Sequence, residues 1–431
     1  MSAPAERYHA LDALRAFALL LGICLHGAMP FIASPRDWAV GTDSPAAVPG
    51  IFAYYVHCAR MPVFFVLAGF FARLVVERRG LGAFLRDRFV RIALVFAVAL
   101  YPVKFALSAL WVLGGWHVRT LNLPPEVLAQ PWWQLGLGGP LSERWPSINL
   151  THLWFLYYLV CITGLFVALH QLARPVAAAL PALRRGTDAA FRRLAAPALA
   201  PVALATAVFP LIASMRKGDI DTPDAGFHWH LPVLTLYGLF FTLGWLLHRH
   251  RDLLASLARR WRPLLAGSLA CGLVSLAAVA LRRSGGETAA QHAVLLRWAA
   301  AAGTSLTMGF AIPAWFAVFM RFANRPHPWV RYLADSSYWI YLVHLPLVVA
   351  LQVWFARWGA PWWIQWPLLN AIAFPVLLLS YHLLVRRTWI GAWLNGRRLA
   401  PPPGGAGGTP DFPPALTSSR AAPASGRSAT E

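Results

Sequence analysis

The chain has 431 residues, of which 58% are hydrophobic and only 13% charged, and its mean hydropathy is +0.53. Ordinary soluble globules are nearer ~45–50% apolar, so the composition excludes that class and indicates a polytopic membrane protein. The formal charge of +21 would suit a nucleic-acid partner, but the arginines are dispersed over short loops and a tail with no soluble domain to gather them into a groove. Membrane topology and anionic lipid account for the excess, and no nucleic acid is expected.

Apolar segments long enough to cross a bilayer recur near residues 12–32, 56–76, 92–113, 152–172, 197–214, 231–247, 263–281, 294–320, 336–356 and 362–385. The expected fold class is all-α, with about ten transmembrane helices. Connections 77–91, 173–197, 248–262 and 321–335 hold eighteen arginines, whereas 33–55, 114–151, 215–230, 282–293 and 357–361 hold eight basic residues in a greater total length. By the positive-inside rule the first set is cytoplasmic, and an even span count places both termini there. A basic residue ahead of an apolar run resembles a secretory signal, but Arg15 interrupts this one and its length approaches a full span, so an uncleaved first helix is expected. Residues 1–390 read as the membrane domain and 391–431, rich in Pro, Gly, Ala and Ser, as a disordered cytoplasmic tail.

In the first span Arg15 and His26 are eleven residues apart. At about 100° per residue this is close to three turns, so both side chains share one helix face, roughly 16 Å apart along the axis. Ionisable groups are costly in hydrocarbon, and two aligned on one helix suggest a polar track across the membrane. Arg15 alone snorkels to headgroups and His26 alone is a hydrogen-bonded core histidine; as a pair they suit an anionic ligand and acid–base chemistry. His57 and Arg60 open the second span, Lys104 lies in the outer half of the third, His152 opens the fourth and Arg297 lies near the outer end of the eighth. Singly these read as interfacial anchors; together they outline a basic, histidine-lined outer vestibule that binds substrate. Trp116, Trp132, Trp133 and Trp145 of the long connection 114–151 roof it as belt residues or as sugar-stacking surfaces.

Carboxylates are nearly absent from the spans, Asp12 at the inner edge being the exception, which disfavours proton- or sodium-coupled transport. Cys24, Cys58, Cys161 and Cys271 lack CxxC spacing and read as small apolar residues, while His228 and His230 are too sparse a signal for a metal. No metal site is expected.

The opening LDALRAFALLLGICLH, FFVLAGFF after Pro62, FLRDRFVRI, and SSYWIYLVHLPLVV in the ninth span resemble acyltransferase family 3, the integral membrane O-acyltransferases. THLWFLYYLVC at the fourth span is similar to the branch that succinylates periplasmic glucans, and the resemblance runs through residues 8–390. It implies ten helices in the bacterial cytoplasmic (inner) membrane and catalytic roles for Arg15 and His26. Donor-binding roles fall on Arg15, Arg86, Arg88, Arg91, Tyr341 and His344. The implied partners are a cytoplasmic acyl-CoA, used as a co-substrate with no permanently bound cofactor, and an extracytoplasmic carbohydrate whose hydroxyl is acylated.

In that scheme the coenzyme phosphates dock at Arg15 and the Arg86–Arg91 loop, and His26 acts as general base or, alternatively, carries the acyl group. Lys104 or Arg297 stabilises the oxyanion or an anionic acyl tail. The rival reading is a transporter or flippase for an anionic or lipid-linked substrate using the same basic cavity.

Overall fold

The long apolar segments resolve into helices because hydrocarbon leaves the backbone no water to bond, and only intrahelical hydrogen bonds satisfy it. The computed structural model describes residues 8–34, 37–119, 121–143, 147–215, 219–283 and 290–396. In chain order these form α1 (His9–Ala28), α2 (Ala47–Arg88), α3 (Leu94–His117), the short α4 (Pro125–Leu128) and α5 (Trp132–Ser142), α6 (Trp154–Ala179), α7 (Pro181–Leu194) and α8 (Ala200–Ser214). They continue with α9 (Leu231–Arg249), α10 (Asp252–Arg259), α11 (Trp261–Arg283), α12 (Ala293–Phe322), α13 (Pro328–Phe355), α14 (Trp362–Leu384) and α15 (Trp389–Asn395), and no strand occurs among the described residues. The protein is an all-α polytopic membrane protein.

Eight helical runs among the described residues have the length and apolarity to cross a bilayer. One of them, Ala47–His117, is 71 residues long and contains both the second and the third expected spans. The connection expected at 77–91 is therefore helical. The run turns at Gly80, whose φ of 81° only glycine adopts without strain, and passes through a π-helical turn at Phe89–Ala93. The expected span at 197–214 is the 15-residue α8, about 22 Å long and shorter than a full crossing.

α1 lies in the middle of the bundle, packed against α2, α12, α13 and α14. Arg15 Nη2 donates to the Ala334 carbonyl at 3.0 Å and Gln352 Nε2 donates to the His26 carbonyl at 2.7 Å, so α1 and α13 run in the same direction. α2 meets α9 through facing glycines: a Cβ on Gly69 would stand 1.9 Å from the Phe241 carbonyl oxygen, and one on Gly244 would stand 1.9 Å from that of Val66. Small residues bring the two backbones into contact, the packing that membrane helices use where apolar burial gives no drive to associate.

At the end of the bundle that carries Arg15, α15 closes over the π turn. Trp393 Nε1 donates to the Val90 carbonyl at 2.9 Å, Asn395 Nδ2 to the Asp335 carbonyl at 3.1 Å, and the Tyr338 hydroxyl to the Arg91 carbonyl. The domain boundary expected at 390 falls inside this packed helix, and the described chain reaches Gly396, in the left-handed region at φ 74°. The remainder of the expected tail, 397–431, lies outside the described residues, as do Arg36, Arg144, Trp145, Arg216 and Lys217.

Candidate functional site

A cavity of about 1580 Å³ runs through the bundle, lined by side chains from both ends of α1. Pockets for drug-sized ligands hold ~300–1,000 Å³, so this space suits an extended co-substrate together with a second reactant. Arg15 and His26 both line it, as the helix period requires of two residues on one face.

Around Arg15 the lining comes from Asp87, Arg88, Arg91, Asp335, Tyr338 and Asn395. Arg91 Nε is 3.1 Å from Asp87 Oδ1 and the Arg88 guanidinium lies 5.1 Å over the Phe84 ring. Arg15 is 3.5 Å from Asp12, and its Nε is buried without a partner. Arg86, expected beside them, is exposed and faces away, because it falls on the opposite side of the helix from Arg88.

Deeper along the cavity three elements bring imidazoles together. His26 and His344 have ring centroids 5.3 Å apart, and His344 and His152 are 5.0 Å apart. The Tyr341 carbonyl accepts from His344 Nδ1 at 2.8 Å and from His152 Nε2 at 3.1 Å, while the Tyr341 hydroxyl donates back to the His152 carbonyl at 2.7 Å. These bonds fix both tautomers, since a carbonyl only accepts. Three ring nitrogens remain buried without partners: His26 Nδ1, His152 Nδ1 and His344 Nε2. Unsatisfied buried groups are rare in folded proteins, and three around one cavity mark a place kept polar for a ligand or a proton. Tyr341 and His344, on which the resemblance puts donor-binding roles, belong to this cluster.

His152 owes its place to a strained turn. Thr151 has φ 52°, an unusual conformation for a β-branched residue, and is held there by the Asn149 side chain, which accepts from Thr151 N at 2.7 Å, and by Leu150 N donating to the Asp224 carbonyl at 2.7 Å. His57 donates through Nε2 to the Ile220 carbonyl at 3.3 Å and also lines the cavity. α2 begins at Ala47, nine residues before the expected span, so Arg60 sits thirteen residues inside the helix and not at its mouth.

Two residues that sequence reasoning missed hold His26 in place. Trp38 folds back from the connection after α1 and stacks on the His26 ring, centroids 5.9 Å apart and planes 7° from parallel. Its Nε1–H donates to Gln352 Oε1 at 2.9 Å, and the same Gln352 amide donates to the His26 carbonyl. Gln352 is 2% exposed. His26 itself lines the cavity, with its Nδ1 buried and without a hydrogen-bond partner among the described residues.

The far end of the cavity adds carboxylates to the expected basic vestibule. Its rim carries Asp37, Glu143, Asp219, Asp221 and Asp224, with Asn149 and Trp111. Burial pushes the Asp224 carboxyl above the ordinary range, and a hydrogen bond from Asn149 acts against the shift. Lys104 lines the space but is neutralised by Glu143 Oε1 at 2.6 Å, whose other oxygen accepts from Asn149 N at 2.7 Å. Arg297 is not in the lining; it is exposed and donates to the Ala213 and Met215 carbonyls at 3.1 and 3.3 Å, capping α8. Trp132 and Trp133 are exposed away from the cavity, and Trp116 carries the Arg357 guanidinium 4.4 Å over its ring, so none of these three roofs the site. Sequence reasoning gave each cation its depth but no partner, and partners decide which charges stay free. No group of three metal-binding side chains occurs among the described residues.

The comparisons with known proteins agree with this architecture. Residues 8–384 match the family model described as an acyltransferase domain. Glucans biosynthesis protein C of Salmonella paratyphi B, of Salmonella enteritidis and of Salmonella paratyphi A are each 26% identical over 372 residues, spanning 81% of this chain and 84% of theirs. No solved structure matches. With nearly the whole described chain inside the matched region and a cavity through a helical membrane bundle that Arg15 and His26 both line, the protein belongs to acyltransferase family 3 and is a membrane acyltransferase.

Proposed function

We propose that this acyltransferase works in the bacterial cytoplasmic membrane, moving a short acyl group, succinyl or acetyl, from cytoplasmic acyl-CoA to a hydroxyl of an extracytoplasmic carbohydrate such as periplasmic glucan. The observation that carries the reading is a single cavity lined at one end by Arg15, Arg88 and Arg91 and further along by His26, His152 and His344. Guanidinium groups suit the coenzyme's phosphates, and the roughly 16 Å of α1 between Arg15 and His26 suits the extended pantetheine arm. His26 Nε2 then stands where the thioester ends and takes the proton of the attacking hydroxyl, as a neutral imidazole does. The carboxylates of the rim and Trp111 offer acceptors and a flat apolar face to a sugar.

Purified full-length protein in lipid nanodiscs, given labelled acyl-CoA and a glucan, tests this. The expected result is an ester on the glucan and free coenzyme A, with His26→Ala folded, inserted and inactive. Normal acylation by His26→Ala ends the catalytic assignment, and label crossing proteoliposomes without ester formation favours transport.

A further inference from the structure

Arg60 stands apart from the other cations expected in the vestibule. Lys104 has Glu143 and Arg297 has the carbonyls ending α8, but among the described residues neither a carboxylate nor a hydrogen-bond acceptor engages Arg60, and its buried Nε–H has no partner. Arg60 lines the cavity. The groups facing it are His26 from α1, Tyr237 from α9, His152 from the turn before α6, and Tyr341 and His344 from α13, none of them an anion at neutral pH. Its depth is built in: a Cβ on Gly22 would meet Arg60 Nη1 at 1.8 Å, so only glycine lets the guanidinium lie against α1 one turn before His26.

An uncompensated cation is costly in a low-dielectric interior, and such a cost at a reactive centre is understandable when the anion arrives during turnover. We propose that Arg60 is a catalytic residue, the cation that receives the oxyanion of acyl transfer; this rests on the acyl-CoA reading above. The acceptor oxygen adds to the thioester carbonyl carbon while its proton passes to His26 Nε2. The carbonyl π pair moves onto oxygen, and the Arg60 N–H donors meet that charge. Collapse re-forms the carbonyl and breaks the carbon–sulfur bond, and the departing thiolate takes the proton back from His26. The thioester oxygen is neutral before attack, so the contact strengthens in the transition state and acts on kcat more than on KM.

The test uses full-length protein in nanodiscs with acetyl-CoA and succinyl-CoA as alternative donors and a glucan acceptor. Arg60→Gln is expected to lower kcat by ~10²–10³-fold with both donors while leaving both KM values nearly unchanged. Arg60→Lys, which keeps the charge for folding but loses the planar fork, is expected to lose about tenfold in kcat. Millimolar guanidinium ion is expected to restore part of the Arg60→Gln rate, a rescue that a purely structural role does not allow. Wild-type kcat in either variant, or a loss confined to the carboxylate-bearing donor, overturns the assignment while wild-type turnover leaves acyl transfer standing. A wild-type protein that forms no ester from either donor removes both.

Discussion

Gln352→Leu removes the side chain that joins Trp38 to the end of α1. Two hydrogen bonds are lost, from Trp38 Nε1 at 2.9 Å and to the His26 carbonyl at 2.7 Å. The consequences of the two losses differ. The His26 carbonyl keeps the helix-end donor from Met29, whereas the Trp38 N–H is left without its acceptor. An unsatisfied buried donor costs ~1–3 kcal/mol and a lost hydrogen bond ~0.5–1.5 kcal/mol; the apolar Leu offsets part of this, for a net destabilisation of about 2 kcal/mol. Freed of its tether, the indole no longer holds the imidazole plane, and a displacement of about 1 Å at a reacting group lowers the rate by up to ~10²-fold. The assay is initial-rate kinetics with acyl-CoA and glucan alongside thermal unfolding in nanodiscs. The expected pattern is kcat reduced about 10–100-fold with donor KM unchanged, since Arg15, Arg88 and Arg91 lie at the other end of the cavity. Trp38→Phe keeps a ring on His26 but removes the donor, and a double-mutant cycle with Gln352→Leu should show coupling above about 0.5 kcal/mol. Wild-type kcat in a destabilised Gln352→Leu, or strict additivity of the pair, refutes the positioning argument.

Lys104→Met leaves Glu143 facing the cavity without its cation. The side chains are 6% and 29% exposed and Glu143 keeps Asn149 N–H, so the loss should be about 2–3 kcal/mol, below the ~3–5 of fully buried pairs; Glu143→Gln added to Lys104→Met should recover part of it, as thermal unfolding will show. If Lys104→Met proves as stable as wild type, the pair is not a structural latch. Asp224→Asn probes the rim. Burial raises the folded-state pKa of Asp224, so the fold disfavours its ionised form: the penalty is full above the folded pKa and vanishes below the unfolded one. Asp224→Asn should therefore be more stable than wild type near pH 8, with the advantage fading as pH falls through the raised carboxyl range toward about pH 4. An equal gain at both ends of that window would place the effect elsewhere.

The Arg15–His26 alignment was legible in the chain because it depends on the α-helical period alone, and both residues do line one cavity. Span positions were legible for a similar reason, since hydrocarbon thickness sets a length that one segment meets or fails. The connection at 77–91 was misread as a loop because its arginines report topology, not conformation, and a helix turning at Gly80 carries them equally well. The partners of the vestibule cations were not legible. Sequence reasoning saw Lys104, Arg60 and Arg297 at similar depths, whereas the fold gives Glu143 to the first and helix-end carbonyls to the last, and leaves Arg60 Nε without a partner among the described residues.

By itself the sequence determined a helical membrane protein, the approximate course of its spans and the shared face of Arg15 and His26, because each follows from the spacing of residues within one helix. The tertiary structure alone decided which charges are compensated, that carboxylates rim the far end, and that Trp38 and Gln352 hold the imidazole. Those contacts join residues as far apart as His26 and Gln352, separated by 326 positions, and no local periodicity carries that information.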